Sequence, residues 1–352
     1  MRILHLIPSL GGGGAERQLG ILAAGLRDLG CEVHVGFVSE GANLARLEAA
    51  GAHLHRIPAR GNLDPLLLPR LVRLILNVRP DVVQTWLTQM DVAGGLAALL
   101  TRRPWIVSER THEIYYPGDA KHGLRRLLGR FANAIVANSQ GGAEYWDGAR
   151  VEKVVVPNAL PLGEIAAAPR DGSDFGASEV LLFAGRFDPA KNLENLVDAL
   201  APVVRERDAL ALLCGEGPLE SALRARIAKA GVADRIRLLG FTDRVWSLMK
   251  RADVLVAASW FEGHPNVVLE AAACGCPLVL SDIPAHRQCF GDDAALFADP
   301  ADPAALAAAI RQTLEDPAAA SARAGRARAV ANALSIDSAA GAYLRAYENV
   351  TA

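Results

Sequence analysis

Short apolar runs alternate along the chain with longer segments whose apolar positions recur at helical spacing. Residues 3–7 form the first run; four glycines at 11–14 follow, then a helix-like segment at 15–29 that Gly30 closes. Runs at 33–38, 82–85, 106–108, 134–137 and 154–156 read as further strands, with helices at 44–50, closed by Gly51, and at 66–78, stopped by Pro80. Repeated strand-helix units of this kind predict a doubly wound parallel sheet.

The pattern breaks at residues 157–161, and 163–178 is a Pro/Gly/Asp/Ser-rich stretch with little periodicity that reads as a linker. Beyond it the alternation restarts. Strands are expected at 180–183, 209–214, 236–239, 254–257, 277–281 and 295–297, and helices at 193–204, 219–230 and 246–251. The α/β class therefore comes with two Rossmann-like domains. Three Ala-rich helices, 303–315, 318–333 and 338–350, end the chain, and their composition does not say which domain they cover.

Composition narrows the partners. The chain has 352 residues, 51% hydrophobic and 22% charged, as a globular protein with a sizeable core has. Net charge is −2, against nucleic acid as a main partner; residues 1–170 hold 19 basic and 15 acidic residues, net +4, and the remainder hold 18 and 24, net −6. The five scattered cysteines read as reduced buried thiols, and Cys274 and Cys276 lack the second Cys/His pair of a zinc site. The apolar start is too short for a signal peptide and no run approaches a membrane span, so a cytoplasmic location is expected.

Candidate chemistry gathers where strands give way to helices. In Ser259-Trp260-Phe261-Glu262-Gly263-His264-Pro265-Asn266, continuing to Pro277, Pro265 is placed to open a helix and Gly275 to close it. Glu262 then stands in the loop and Glu270 about one turn inside, with free N–H groups between them, a layout suited to a ligand carrying hydroxyls and phosphates. The plain alternative is an exposed loop and a solvated helix Glu. In the matching turn of the same domain, Gly185-Arg186-Phe187-Asp188-Pro189-Ala190-Lys191-Asn192, two cations converge with a helix start on a diphosphate, or are ordinary surface charges. Gly215-Glu216-Gly217 supplies a tight turn at the same sheet edge. Gly13 and Gly14, in the first glycine turn, allow close approach of a phosphate or sugar, although no acid ends the second strand as a dinucleotide fingerprint requires.

In their joint order these motifs resemble the retaining glycosyltransferases of the GT-B fold, the group known as family 4 or group 1. The segments are 183–186 with Lys191-Asn192, then 215–217, 239–241, 252–254 and 259–277. The resemblance covers nearly all of the chain. It implies two domains facing across a cleft: 1–163 plus 338–352 on the acceptor side, and 164–337 binding a UDP- or GDP-sugar donor. It further implies that Glu262 contacts donor-sugar hydroxyls and Glu270 the ribose. Arg186 and Lys191 would hold the diphosphate, and Glu216, Gly217 and the 263–266 stretch (Gly263, His264, Pro265, Asn266) would line the donor site. Two cations and a helix end would then make a metal unnecessary, and no cofactor is expected. Across the cleft the family carries a His; here His112 falls one or two positions late, leaving Arg110 as the alternative occupant.

Residues 121–131 combine cations with Leu124, Leu127, Leu128 and Phe131 at helical spacing. They read either as a core helix with a solvated basic face or as a peripheral contact with the inner face of a membrane, which would suit a lipid-linked or cell-surface glycan acceptor. Other activities compatible with the architecture are a nucleotide-sugar epimerase, a sugar phosphorylase and a non-catalytic nucleotide-sugar-binding protein.

Overall fold

The apolar runs form strands packed on both faces. The computed structural model describes residues 1–61, 64–110 and 118–352. These divide into two units, Met1–Ala159 with Leu334–Ala352, and Leu160–Ala333.

Strands of the first unit are β1 (Arg2–Ser9), β2 (Glu32–Ser39), β3 (His53–Arg56), β4 (Val82–Trp86), β5 (Trp105–Glu109), β6 (Ala134–Ala137) and β7 (Glu152–Val155). Its helices include α1 (Gly14–Asp28), α2 (Leu44–Ala49), α3 (Leu67–Val78), α4 (Leu87–Leu100), α5 (Ala120–Gly129) and α6 (Gln140–Glu144). Among the described residues the sheet runs β3-β2-β1-β4-β5-β6-β7, parallel throughout. Side chains alternate across it: Ile3 and Ile7 of β1 join a core with α1, while Leu4 and Leu6 join one with α3 and α4.

The second unit begins with α7 (Leu162–Ala167), β8 (Glu179–Ala184), α8 (Leu193–Glu206), β9 (Ala209–Cys214), α9 (Glu220–Lys229) and β10 (Ile236–Gly240). It continues through α10 (Val245–Arg251), β11 (Val254–Ala257), α11 (Asn266–Ala273), β12 (Leu278–Ser281), α12 (Pro284–Arg287), β13 (Leu296–Ala298), α13 (Pro303–Glu315) and α14 (Pro317–Asn332). Its parallel sheet runs β10-β9-β8-β11-β12-β13. In both units the strand order reverses beside the first strand, between β1 and β4 and between β8 and β11. Ligands of such sheets bind at that switch point, outside the carboxyl ends of the strands.

Two expectations about the chain's divisions shift. The stretch read as a linker is packed rather than loose: Ile165 of α7 is buried, Lys250 Nζ donates to the Ala166 and Ala168 carbonyls, and buried Asp171 accepts from Arg244. The units therefore part at Ala159/Leu160 rather than after Gly163. Likewise the return to the first unit comes at Leu334, because the helix expected at 338 already starts at Ile336, capped by the Ser335 hydroxyl.

The Ala-rich helices find distinct homes. Ala320, Ala324, Ala327 and Ala331 line one side of α14, which packs on α11. α15 (Ile336–Thr351) belongs to the first unit: a side chain on Gly25 of α1 would collide with Ile336 and Ala340, so the two helices cross closely. Buried Tyr347 donates to Gln84 of β4, and Tyr343 is held by Arg110.

Under this face lies His5, fully buried, its Nδ1 accepting from Trp86 Nε1 at 3.2 Å. Burial, aided by the nearby Arg110 charge, lowers its pKa to about 3. The folded state therefore binds fewer protons than the unfolded one between pH 6.5 and 3, so His5 contributes full stability above that window and loses it as pH falls. His34, His55 and His286 are shifted in the same direction by burial. Urea unfolding at pH 5 is expected to give about 2 kcal/mol less stability than at pH 7.5 from His5 alone. A His5→Phe variant with the same pH dependence as the wild type would assign that loss elsewhere.

Candidate active site

At the switch point of the second sheet, the loops after β8 and β11 are knitted together. Trp260 N donates to Ala190 O at 2.9 Å, and Asn192 Nδ2 reaches both Ala258 O at 3.0 Å and Pro300 O at 2.7 Å. Asn192 has φ 54° and ψ 42°, a left-handed conformation that Asn tolerates better than other residues with a side chain. The turn before it, Pro189–Lys191, is capped by Asp188, whose Oδ1 accepts from Ala190 N at 3.0 Å. Buried Phe187 anchors the loop in the core beneath.

This scaffold brings Lys191 and Glu262 into direct contact, Nζ to Oε1 at 2.6 Å. The same carboxylate oxygen accepts from Ser259 Oγ at 2.7 Å. Ser259 is fixed in turn, its carbonyl accepting from Ser281 Oγ at 2.7 Å, and fully buried His286 donates from Nδ1 to the Ser281 carbonyl at 2.9 Å. Arg186 extends into solvent, with no hydrogen bond or ion pair to its guanidinium among the described residues. One cation is thus paired with an acid and a second is open to an anion.

Glycines let the neighbouring loop press in. Gly215, at φ 146°, donates to Gly240 O, and a Cβ there would overlap the Gly185 carbonyl; one on Gly217, at φ 159°, would meet the Phe187 backbone. Phe187 N donates to Glu216 O at 2.8 Å. The exposed Glu216 carboxylate accepts from Phe241 N at 3.3 Å.

α11 starts at Asn266, with Pro265 one position outside in the cap rather than in the first turn. At its other end Gly275 has φ 77°; Cys276 N bonds Ala271 O and Gly275 N bonds Ala272 O, a Schellman closure. Glu270 lies one turn inside and is only 4% exposed, so it is no solvated helix Glu. Trp246 Nε1 of α10 donates to its Oε2 at 2.7 Å. Gly263 and His264 complete the loop, the His264 ring facing the Asn266 amide at 3.2 Å.

In the first unit, Gly13 caps α1 and Gly14 opens it. Glu16 of the first turn folds back, accepting from Ser9 Oγ at 2.9 Å, and its carboxylate occupies the space a Gly13 side chain would take. Arg110 lies over the Trp86 ring at 4.2 Å, donates to Asn158 Oδ1 at 3.0 Å and bonds the Tyr343 hydroxyl. Its partners are thus the strand edge and α15. His112 lies outside the described residues.

Sequence reading did not assign Ser259, Ser281, His286, Trp246 or Asn192. The hydroxyl three residues before Glu262 was a usable signal; Ser281 and His286 act on the site only through the fold.

Two Rossmann-like α/β domains, the second with the paired Lys191 and Glu262, exposed Arg186 and the start of α11 around its switch point, are the architecture of the GT-B fold. Residues 12–164 match the family described as Glycosyltransferase Family 4, and residues 178–316 the family described as Glycosyl transferases group 1. The chain belongs to these glycosyltransferases. The lipopolysaccharide core biosynthesis glycosyltransferase LpsE of Rhizobium meliloti is 28% identical over 310 residues, covering 86% of each chain. The N-acetylgalactosamine-N,N'-diacetylbacillosaminyl-diphospho-undecaprenol 4-alpha-N-acetylgalactosaminyltransferase of Campylobacter jejuni is 26% identical over 311 residues, covering 82% of each. In fold, the chain is similar to Anabaena HepE in complex with UDP-glucose, with a TM-score of 0.85 at 24% identity, over 99% of this chain and 100% of that one.

Proposed function

We propose that the protein transfers a hexosyl or N-acetylhexosaminyl group, with retention at the anomeric carbon, from a UDP- or GDP-sugar to a hydroxyl of a lipid-linked or cell-surface glycan precursor. The observation that carries this reading is the Lys191–Glu262 pair, held by Ser259 at the switch point beside open Arg186. A diphosphate draws Lys191 away from Glu262 and joins it to Arg186, where both neutralise the charge that grows as the nucleotide leaves. Glu262, still anchored by Ser259, accepts from donor-sugar hydroxyls, and Glu270, oriented by Trp246, accepts from the ribose. Backbone groups of Gly263 to Asn266 and the turn holding Glu216 and Gly217 line the donor. These cations and the α11 start supply the positive charge at the leaving group without a metal. In a front-face displacement the acceptor hydroxyl attacks on the side the diphosphate leaves, and a phosphate oxygen takes its proton.

A thermal-shift panel of UDP, GDP and their sugars tests the donor. The matching ligand at about 100 times its Kd adds about 2.7 kcal/mol and raises the melting temperature by roughly 5–10 °C. No response to any of them, together with no nucleotide release, sinks the reading. An inverted anomeric configuration in the product, read by proton NMR, overturns retention alone.

The acceptor side is supported by α5. Its apolar stripe is divided: Leu128 packs against the core, while Leu124, Leu127 and, just past the helix, Phe131 are exposed, Phe131 by 62%, among exposed Lys121, Arg126 and Arg130. Exposed apolar and cationic side chains on one short helix and the turn that ends it suit an anionic lipid surface. Among the described residues no helix is long and apolar enough to cross a membrane. The protein is expected to float with anionic lipid vesicles, and Leu127→Ser with Phe131→Ser to abolish it; equal flotation of wild type and variant removes α5 from the contact.

A further inference from the structure

Glu32 and His34 stand two residues apart on β2, and His53 and His55 two apart on β3, the outermost strand of the first sheet. Strand side chains alternate with a period of two, so each pair shares a face. The parallel register sets His34 beside His53 and Gly36 beside His55, which puts all four polar side chains on the same face. His34 is buried among the others, its ring centroid 4.7 Å from that of His53 and 5.2 Å from that of His55. Its Nε2 lies 3.0 Å from Glu32 Oε1 and its Nδ1 2.9 Å from His55 Nε2. A carboxylate only accepts, so His34 donates from Nε2 and accepts at Nδ1 from His55. The other Glu32 oxygen accepts from Arg2 Nε at 2.9 Å, and Arg2 is tied by Nη1 to Val78 O. The carboxylate is therefore held in place from behind.

We propose that Glu32, His34 and His53 form a site for a divalent transition-metal ion of the Zn2+ type. One ligand atom from each lies within 4.8 Å of the others. Tetrahedral ligands at about 2.0–2.2 Å from zinc stand roughly 3.3 Å apart, a gap that exposed His53 closes by turning its ring. Two imidazoles and one carboxylate select zinc or its late first-row neighbours over Mg2+ or Ca2+, which prefer oxygen donors, and water completes the coordination. When the metal takes His34 Nε2, the ring's hydrogen moves to Nδ1 and donates to His55 Nε2, whose own hydrogen moves to its Nδ1. His55 becomes the residue that orients His34. The site lies five residues before the carboxyl end of β2, roughly 17 Å along the strand, so the ion fastens the sheet's outer edge and takes no part in sugar transfer.

The test is a titration of chelator-treated protein with Zn2+ by calorimetry and with Co2+ by visible absorption. One ion per chain is expected, with micromolar or tighter affinity, tetrahedral cobalt bands and a raised melting temperature that Mg2+ does not reproduce. His53→Asn, at an exposed position whose folding circular dichroism verifies, should weaken binding more than about tenfold, and His55→Phe by about 10–100-fold. Absence of zinc binding by the wild type at roughly 100 μM, or equal affinity in His53→Asn, overturns the proposal.

Discussion

Lys191→Ala is expected to lower kcat by about 10²–10³-fold, the usual consequence of removing one preorganised group that stabilises transition-state charge. The ammonium stands 2.6 Å from Glu262 and follows a capped turn, so its position depends little on the substrate. Its loss leaves Glu262 Oε1 with the Ser259 hydroxyl alone and, in the proposed reaction, the leaving diphosphate with Arg186 alone. Because the interaction grows as the nucleotide departs, kcat should fall more than KM rises. Glu262→Ala should cause a comparable loss through the sugar hydroxyls. Both are read by nucleotide release under saturating donor, with circular dichroism showing the fold retained. Near-normal turnover in either variant would remove that residue from the chemistry.

Arg125→Met is expected to cost about 3–5 kcal/mol in stability without touching the second unit. Arg125 is 1% exposed and lies between Asp91, Nε to Oδ2 at 2.7 Å, and Glu109, Nη1 to Oε2 at 2.9 Å, with its guanidinium on the Trp146 ring. Thr85 bonds the other Asp91 oxygen, Arg110 N the other Glu109 oxygen, and Trp146 Nε1 shares Glu109 Oε2 with Arg125. Methionine fills the volume and leaves two buried acids with no counter-charge. Burial already raises the Asp91 pKa against the pull of Arg125, and in the variant that pull is gone. Asp91 then takes a proton more readily, so the stability gap should narrow as pH falls. Urea unfolding at pH 7.5 and pH 5.5 measures both, and a loss below about 1 kcal/mol at pH 7.5 would mean the pair is not held as described.

The α/β class and both sheets were legible because buried parallel strands are short apolar runs, and Val254–Ala257 or Ala209–Cys214 can hardly be anything else. β3 was not legible: His53-Leu54-His55-Arg56 carries one apolar residue, and only pairing with β2 makes it a strand. α4 was missed for the opposite reason. It is apolar nearly all round, and Gly94 and Gly95, which weaken a helix, are there because side chains would strike Leu6 and Trp105. Around α5 the spacing of Leu124, Leu127, Leu128 and Phe131 pointed to a helix, yet of these Leu128 alone packs on the core, and the fully buried side chain is Arg125, held there by two buried acids. Glu262 and Lys191 could each be singled out, but their contact could not, because it depends on where two loops separated by 71 residues come to rest.

The placement of α15 fixes an order of assembly. A chain emerging from the ribosome has made every residue of the second unit before it makes Tyr343 and Tyr347, which complete the core over β1 and β4. The second unit can therefore close first, while α1 holds an apolar surface with nothing yet to cover it. A translation stop just before Ser335 would remove no loose tail; it would leave a finished second unit attached to a first unit whose apolar face stays open to chaperones, proteases and other unfinished chains.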